Sequence, residues 1–442
     1  MEKPAWRINF NTMNGPASKI LITLPEWSST RKWIFRFIFV FVLLFILSVP
    51  FPHPYLLNPP SVVSPFFENL VKWTGDHVFK IRHPYSNRLI SDSTGLYIHL
   101  AILFFISLIT AVAWGIIDKR KKSYPILAYW FRVGISYYLA FYLMSYGFNK
   151  LFKRQFYIPE PNTLFTTMGN TYRDLLYWSS MGVSRPYNIF LGSLELLAGI
   201  LLLFRKTRLI GSLLAISILL NIVAVNLSYN INVKIFSCFL LWLALLVMAP
   251  AAKRLYNFFF TGNKMPAAAW EPQYVSPVMS RVYITGKVLV IGYMLWCLLV
   301  VYIKSGNFND DQATRPPFHG AYEVISFSKN NDTLPPLLSD TYRWKRVFIH
   351  RRGYFIIQFM NDDMQDYDLY CDTLKKAWYI QKTTDKTEAV LQYRQTTDTT
   401  IRLTSKIGID SLHIDLLRID LSKLPLLQKE FSWTVDESIQ ER

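Results

Sequence analysis

Seven apolar runs limit what this chain can fold into more than any other feature: Trp33–Val49, Leu96–Ile117, Ile126–Phe148, Tyr187–Phe204, Leu209–Tyr229, Lys234–Ala249 and Tyr283–Ile303. A helix needs about 20 apolar residues to cross the hydrocarbon core of a bilayer. The first, fourth and sixth runs are slightly short, and flanking aromatics with snorkelling Arg36 and Lys234 extend them. The expected fold is an α-helical integral membrane bundle of about seven helices, followed by a C-terminal antiparallel β-rich domain.

Charge sorts along the chain in the same way. Residues 304–442 hold 19 Lys and Arg against 20 Asp and Glu, whereas residues 1–303 hold 29 against 10. The excess of positive charge therefore sits among the apolar runs, where it suits cytoplasmic loops and anionic headgroups. A nucleic-acid binder would carry its basic patch on a soluble fold instead. The connections Asp118–Lys122 and Arg205–Arg208 are almost wholly basic. They place the N-terminus in the cytoplasm and residues 304–442 outside, periplasmic if the source is bacterial. Some thirty mixed residues precede the first run, so it reads as a signal anchor and not as a cleavable signal peptide.

The organisation that follows is a cytoplasmic segment 1–32 and two spans within 33–125, with an outer connection 50–95. A four-helix core over 126–250 comes next, then a cytoplasmic loop and seventh span over 251–303, and the outer domain 304–442. Pro50-Phe-Pro-His-Pro54 stops the first helix. The remainder of 50–95 reads as an amphipathic piece on the membrane surface, and 149–186 as a segment that re-enters or caps the bundle. In the last domain, strands are expected at Arg346–Arg351, Tyr354–Phe359, Ala377–Gln381, Ala389–Tyr393, Thr400–Thr404 and Ser411–Leu416, with Glu430–Val435 closing the sheet. Short strands at near-regular spacing point to a sandwich or small barrel.

Ionisable residues inside a span need a reason to be there. Glu195 lies about eight residues from either end of its run, near the midplane, where a short carboxylate cannot snorkel. Arg132 in the preceding span is about 4–5 Å away in depth, so an Arg132–Glu195 pair is expected. Asn221 and Asn226 are candidates to join it, as interhelical glue or as a proton or ligand site. Tyr138, Tyr142 and Tyr146 repeat every fourth residue and share one helix face, an aromatic ligand face or a packing stripe. Lys287 and Arg36 lie near span ends and read as snorkelling side chains.

No metal set is evident. His99 is alone inside a span, and intramembrane haem ligation takes two histidines. Cys238, Cys297 and Cys371 form neither a C-x-x-C nor an iron–sulfur set. Neither a P-loop nor a dinucleotide fingerprint occurs. Redox work would need a quinone or a partner to carry electrons.

The stretch Tyr146-Gly-Phe-Asn-Lys150-Leu-Phe, then Leu194-Glu-Leu-Leu-Ala-Gly199, the basic turn Arg205-Lys-Thr-Arg208 and Asn226–Lys234 resembles the DoxX-like family of small four-helix membrane proteins. The resemblance covers residues 126–250. It implies a subunit, since some members belong to terminal oxidases or thiosulfate:quinone oxidoreductases. Lys150, in a G-x-x-K motif, and Glu195 are the positions it carries over. The expected function is a subunit supporting an envelope redox or assembly complex in a bacterial inner membrane, with a quinone or isoprenoid lipid as candidate ligand. Membrane lipids and other envelope proteins are the expected partners. A non-enzymatic scaffold presenting the outer domain, or a proton-coupled transporter, are the alternatives.

Overall fold

The computed structural model describes residues 26–49, 60–262, 277–382, 387–407 and 410–428. The chain divides into two compact units. One comprises residues up to 151 together with 189–308, and the other comprises 152–188 together with the residues from 309 onward. The second unit thus takes in 152–188 as well as the C-terminal part.

The first unit is helical. Its elements are α1 (Ser29–Ser48), α2 (Pro60–His77), α3 (Thr94–Ile117) and α4 (Pro125–Leu151); α5 (Pro161–Leu164) and α6 (Arg173–Val183) belong to the second unit. The chain returns with α7 (Arg185–Leu203), α8 (Arg208–Ser228), α9 (Lys234–Met248), α10 (Ala252–Tyr256) and α11 (Pro277–Ser305). Among the described residues, six helices are long and apolar enough to cross a membrane: α3, α4, α7, α8, the stretch running on from α9, and α11. The first predicted span also forms a helix, α1, but Arg31, Lys32 and Arg36 occupy its N-terminal half and shorten its apolar stretch. Local rules set the ends. The Ser93 hydroxyl caps α3 by accepting from the Leu96 N–H at 3.1 Å. Asp92 beside it accepts from the Lys234 and Ile235 N–H groups at 2.9 and 3.0 Å, placing a carboxylate at the positive end of α9.

In the connection 50–95, helix α2 packs one face on α1 and α3, with Phe67 and Val71 buried in the bundle core, while Val62, Phe66 and Trp73 stay exposed. A side chain such as Val71, fully enclosed, gains more from helix neighbours than from a headgroup interface. Arg36 is buried and its guanidinium reaches the 118–124 connection, donating to the Tyr124 hydroxyl at 2.6 Å, which in turn donates to Asp118 at 3.0 Å.

In the second unit, β1 (Gly320–Lys329), β2 (Asp332–Thr333), β3 (Trp344–Ile349), β4 (Tyr354–Phe359) and β5 (Met364–Asp372) are followed by β6 (Ala377–Lys382), β7 (Glu388–Gln395), β8 (Thr400–Ile407) and β9 (Asp410–Ile419). Each strand pairs antiparallel with its neighbour, the short β2 pairing with the end of β1, and β1 pairs with β9. That last pairing closes an eight-stranded up-and-down barrel. Closure comes from Ala321–Lys329 against Leu412–Ile419. The segment Glu430–Val435, expected to close the sheet, lies outside the described residues. Eight strands enclose an interior that is filled either by side chains or by one small ligand. Here Phe327, Phe355, Trp378, Leu391 and Leu403 fill it.

Candidate functional site

Two groups of buried polar side chains stand out, one in each unit. In the bundle, Glu195 on α7 is held by Lys150 at the end of α4. Both carboxylate oxygens lie 2.9 Å from Nζ, and both side chains are almost fully enclosed. The expected Arg132–Glu195 pair is corrected by this contact. The reason is register. Gly147 and Gly192 face each other, and Gly199 lies against Ala140 and Met144. Glu195 is therefore opposite the C-terminal turns of α4, whereas Arg132 lies 18 residues before Lys150, about 27 Å away along the helix. Arg132 instead lies over the Tyr129 ring, within Coulombic reach of Arg205 and Arg208.

The two asparagines separate as well. Asn226 is buried and donates to the Ser237 hydroxyl at 3.0 Å, linking α8 to α9. Asn221 points out of the bundle and joins no network with Glu195. Tyr138, Tyr142 and Tyr146 do share a face, and that face is packed. The Tyr138 and Tyr142 rings are 4.8 Å apart, and Tyr142 meets Phe236 of α9 edge-on at 5.0 Å. Tyr146 sits beneath Lys150 Nζ at 5.7 Å. Lys287 lies over the Phe204 ring at 4.5 Å. His99 is buried, with Nε2 2.7 Å from the Ser48 hydroxyl. Among the described residues, no group of His, Cys, Asp and Glu has the arrangement of a metal site.

The second group is in the barrel unit, and none of it was expected from the sequence. Glu160, just before α5, is buried. Its Oε2 accepts from the Arg351 backbone N–H at 3.1 Å and lies 3.1 Å from His319 Nε2; its Oε1 accepts from Arg351 Nε. Arg351 also donates to Asp310 and covers the Tyr157 ring at 3.9 Å. Asp311 accepts from the Ile158 N–H at 2.9 Å and pairs with Lys153 at 3.4 Å, and Lys153 donates to the Gly182 carbonyl. These bonds clamp residues 153–182 onto the barrel. Phe165 completes the seam by stacking on Phe348 at 5.6 Å.

Electrostatics follows the geometry. Burial by itself would raise the Glu160 carboxyl, but His319, the Arg351 N–H, the Arg351 guanidinium and His350 together hold it down to about 2. Burial lowers His350, with Glu160 opposing and Arg351 and Arg352 adding to the effect.

Beside the clamp lies a cleft of about 540 Å³, with His350 and Arg352 of the β3–β4 turn on its lining together with Tyr157, Asn162 and, from α6, Trp178. Gly353 makes that turn at φ +76°, a conformation that favours glycine, and its N–H bonds the His350 carbonyl at 3.0 Å. A sequence signal for the covered seam does exist. Val347-Phe348-Ile349 and Phe355-Ile356-Ile357 are unbroken apolar runs, and such runs mark strands buried on both faces.

No family model matches the chain, and no solved structure matches it. A curated relative, the uncharacterised protein YwoB of Bacillus subtilis (strain 168), is 29% identical over 122 residues, which is 28% of this chain and 77% of that protein.

Proposed function

We propose that this chain is an integral membrane subunit of the DoxX-like type. In this reading it sits in a bacterial inner membrane with its N-terminus cytoplasmic, and acts as a non-enzymatic scaffold that presents an extracytoplasmic binding domain to an envelope assembly. The observation that carries this reading is the Glu160–Arg351 clamp. One domain is built from two stretches separated in the chain by α7, α8, α9 and α11, and four crossings return a chain to the side it left. The basic turns 118–122 and 205–208 then fall on the other side, as cytoplasmic loops do. Glu195 is consumed by Lys150 and the barrel is filled by side chains, which leaves outer surfaces to do the binding.

A second reading, a quinone-linked redox subunit, draws support from Tyr146 beside Lys150. Mass spectrometry of lipids and quinones extracted from protein in nanodiscs separates the two. The scaffold reading predicts no stoichiometric quinone or isoprenoid in the wild type or in Glu195→Ala. A quinone present in the wild type and lost in the variant overturns it in favour of the redox reading.

A further inference from the structure

The cleft beside the clamp has the dimensions of a ligand site, since its 540 Å³ falls within the range of about 300–1,000 Å³ typical of small-molecule pockets. Its polar lining is weighted toward basic groups, with Arg154, Arg352 and His350 beside two carboxylates. Glu160 is bound by Arg351 and His319. Asp174 accepts from the Leu175 N–H at 2.8 Å at the start of α6. Arg352 and His350 come from one strand turn, where His350 Nδ1 accepts from the Arg352 N–H at 3.1 Å. The Arg352 side chain is exposed on that lining, and a guanidinium selects a carboxylate or a phosphate.

The cleft also has an aromatic wall. Trp178 is half-buried and is held edge-on by Phe156 at 5.0 Å, which fixes its ring at low entropic cost. Amide and hydroxyl groups of Asn162, Thr163 and Ser179 lie around it. A fixed ring suits the C–H face of a sugar, and short amides and hydroxyls suit its alcohol groups. A simple inorganic anion would use the arginine and leave the rest of the lining idle.

We propose that this cleft binds an acidic saccharide, a sugar unit carrying a carboxylate or a phosphate, stacked on Trp178 and held by Arg352. The proposal rests on the reading of the second unit as the binding domain and names what it binds. Free acidic sugar and an acidic glycolipid headgroup share this chemistry.

The test is calorimetric titration of the full-length protein in nanodiscs, whose two faces are both open to solvent, so that binding does not depend on which side the unit occupies in the cell. The probes are glucuronic acid and glucose 6-phosphate, with glucose and inorganic phosphate as comparators. The expected result is that at least one acidic sugar binds at least tenfold more tightly than both comparators. Arg352→Gln removes that preference, Trp178→Leu weakens the acidic sugar by a similar factor, and Arg394→Gln, at an exposed barrel position, changes nothing. Identical melting of Arg352→Gln and wild type confirms that the variant is folded. Equal binding of acidic and neutral sugars, or a preference that survives in Arg352→Gln, overturns the proposal. Repeating the titration with nanodiscs containing an acidic glycolipid distinguishes the sources: weakened binding of the free sugar there identifies a headgroup as the occupant, and unchanged binding identifies the free sugar.

Discussion

Gly147 and Gly192 approach so closely that a methyl group on Gly147 would lie 2.8 Å from the Gly192 carbonyl oxygen, and one on Gly192 would lie 2.7 Å from that of Gly147. Backbone cannot yield as the end of a side chain can, so a larger residue at either position must push α4 and α7 apart. Gly192→Leu is expected to lower stability by about 1–3 kcal/mol, the usual cost of overpacking. Gly134→Ala on α4 meets nothing within 4 Å and should be neutral or slightly stabilising. Thermal unfolding in detergent compares the two directly.

That crossing fixes which basic residue Glu195 meets. Removing one member of a buried pair strands the other charge and costs about 3–5 kcal/mol. Lys150→Met and Glu195→Leu should each destabilise the bundle by this order, and the double variant should recover most of the loss. The coupling between Arg132 and Glu195, which lie far apart, should stay below about 0.5 kcal/mol in a double-mutant cycle. A large Arg132 coupling would contradict the register described above.

The Glu160 clamp predicts a pH dependence with a definite sign. Its carboxyl is held at about 2, below its ordinary 4.5, so the folded state favours the charged form. The resulting stability, about 3 kcal/mol, is present above about pH 4.5 and is lost as pH falls toward 2. Glu160→Gln should flatten this acid limb and lower stability at neutral pH. Hydrogen exchange of residues 157–166 should show it as faster opening at pH 3 than at pH 7 in the wild type alone.

Much of the architecture is legible in the sequence, because apolar length and charge asymmetry act locally. The runs that became α3, α4, α7, α8, α9 and α11 are of this kind, and the six strands expected from short apolar segments all form. Three strands were harder to see. β5, Met364–Asp372, carries three acidic residues and is only half-buried along its length, β2 is two residues long, and β1 begins directly after the turn residues Arg315-Pro-Pro-Phe-His319. The polar sites were the least legible. Lys150 stood out through its motif, but its partner depended on a helix crossing set by two glycines. Glu160 meets Arg351 across 191 positions, a pairing that no local pattern announces.

Residues 152–188 and the barrel form one compact unit, and its proposed extracytoplasmic placement is tested most directly by labelling with a membrane-impermeant maleimide. Single cysteines at Ser180, Thr397 and Lys206, all exposed positions, are introduced into a chain whose three native cysteines are replaced by alanine. Ser180→Cys and Thr397→Cys should both label in intact cells, and Lys206→Cys only after permeabilisation. Labelling of Ser180→Cys and Thr397→Cys from opposite sides, or of both only after permeabilisation, would contradict it.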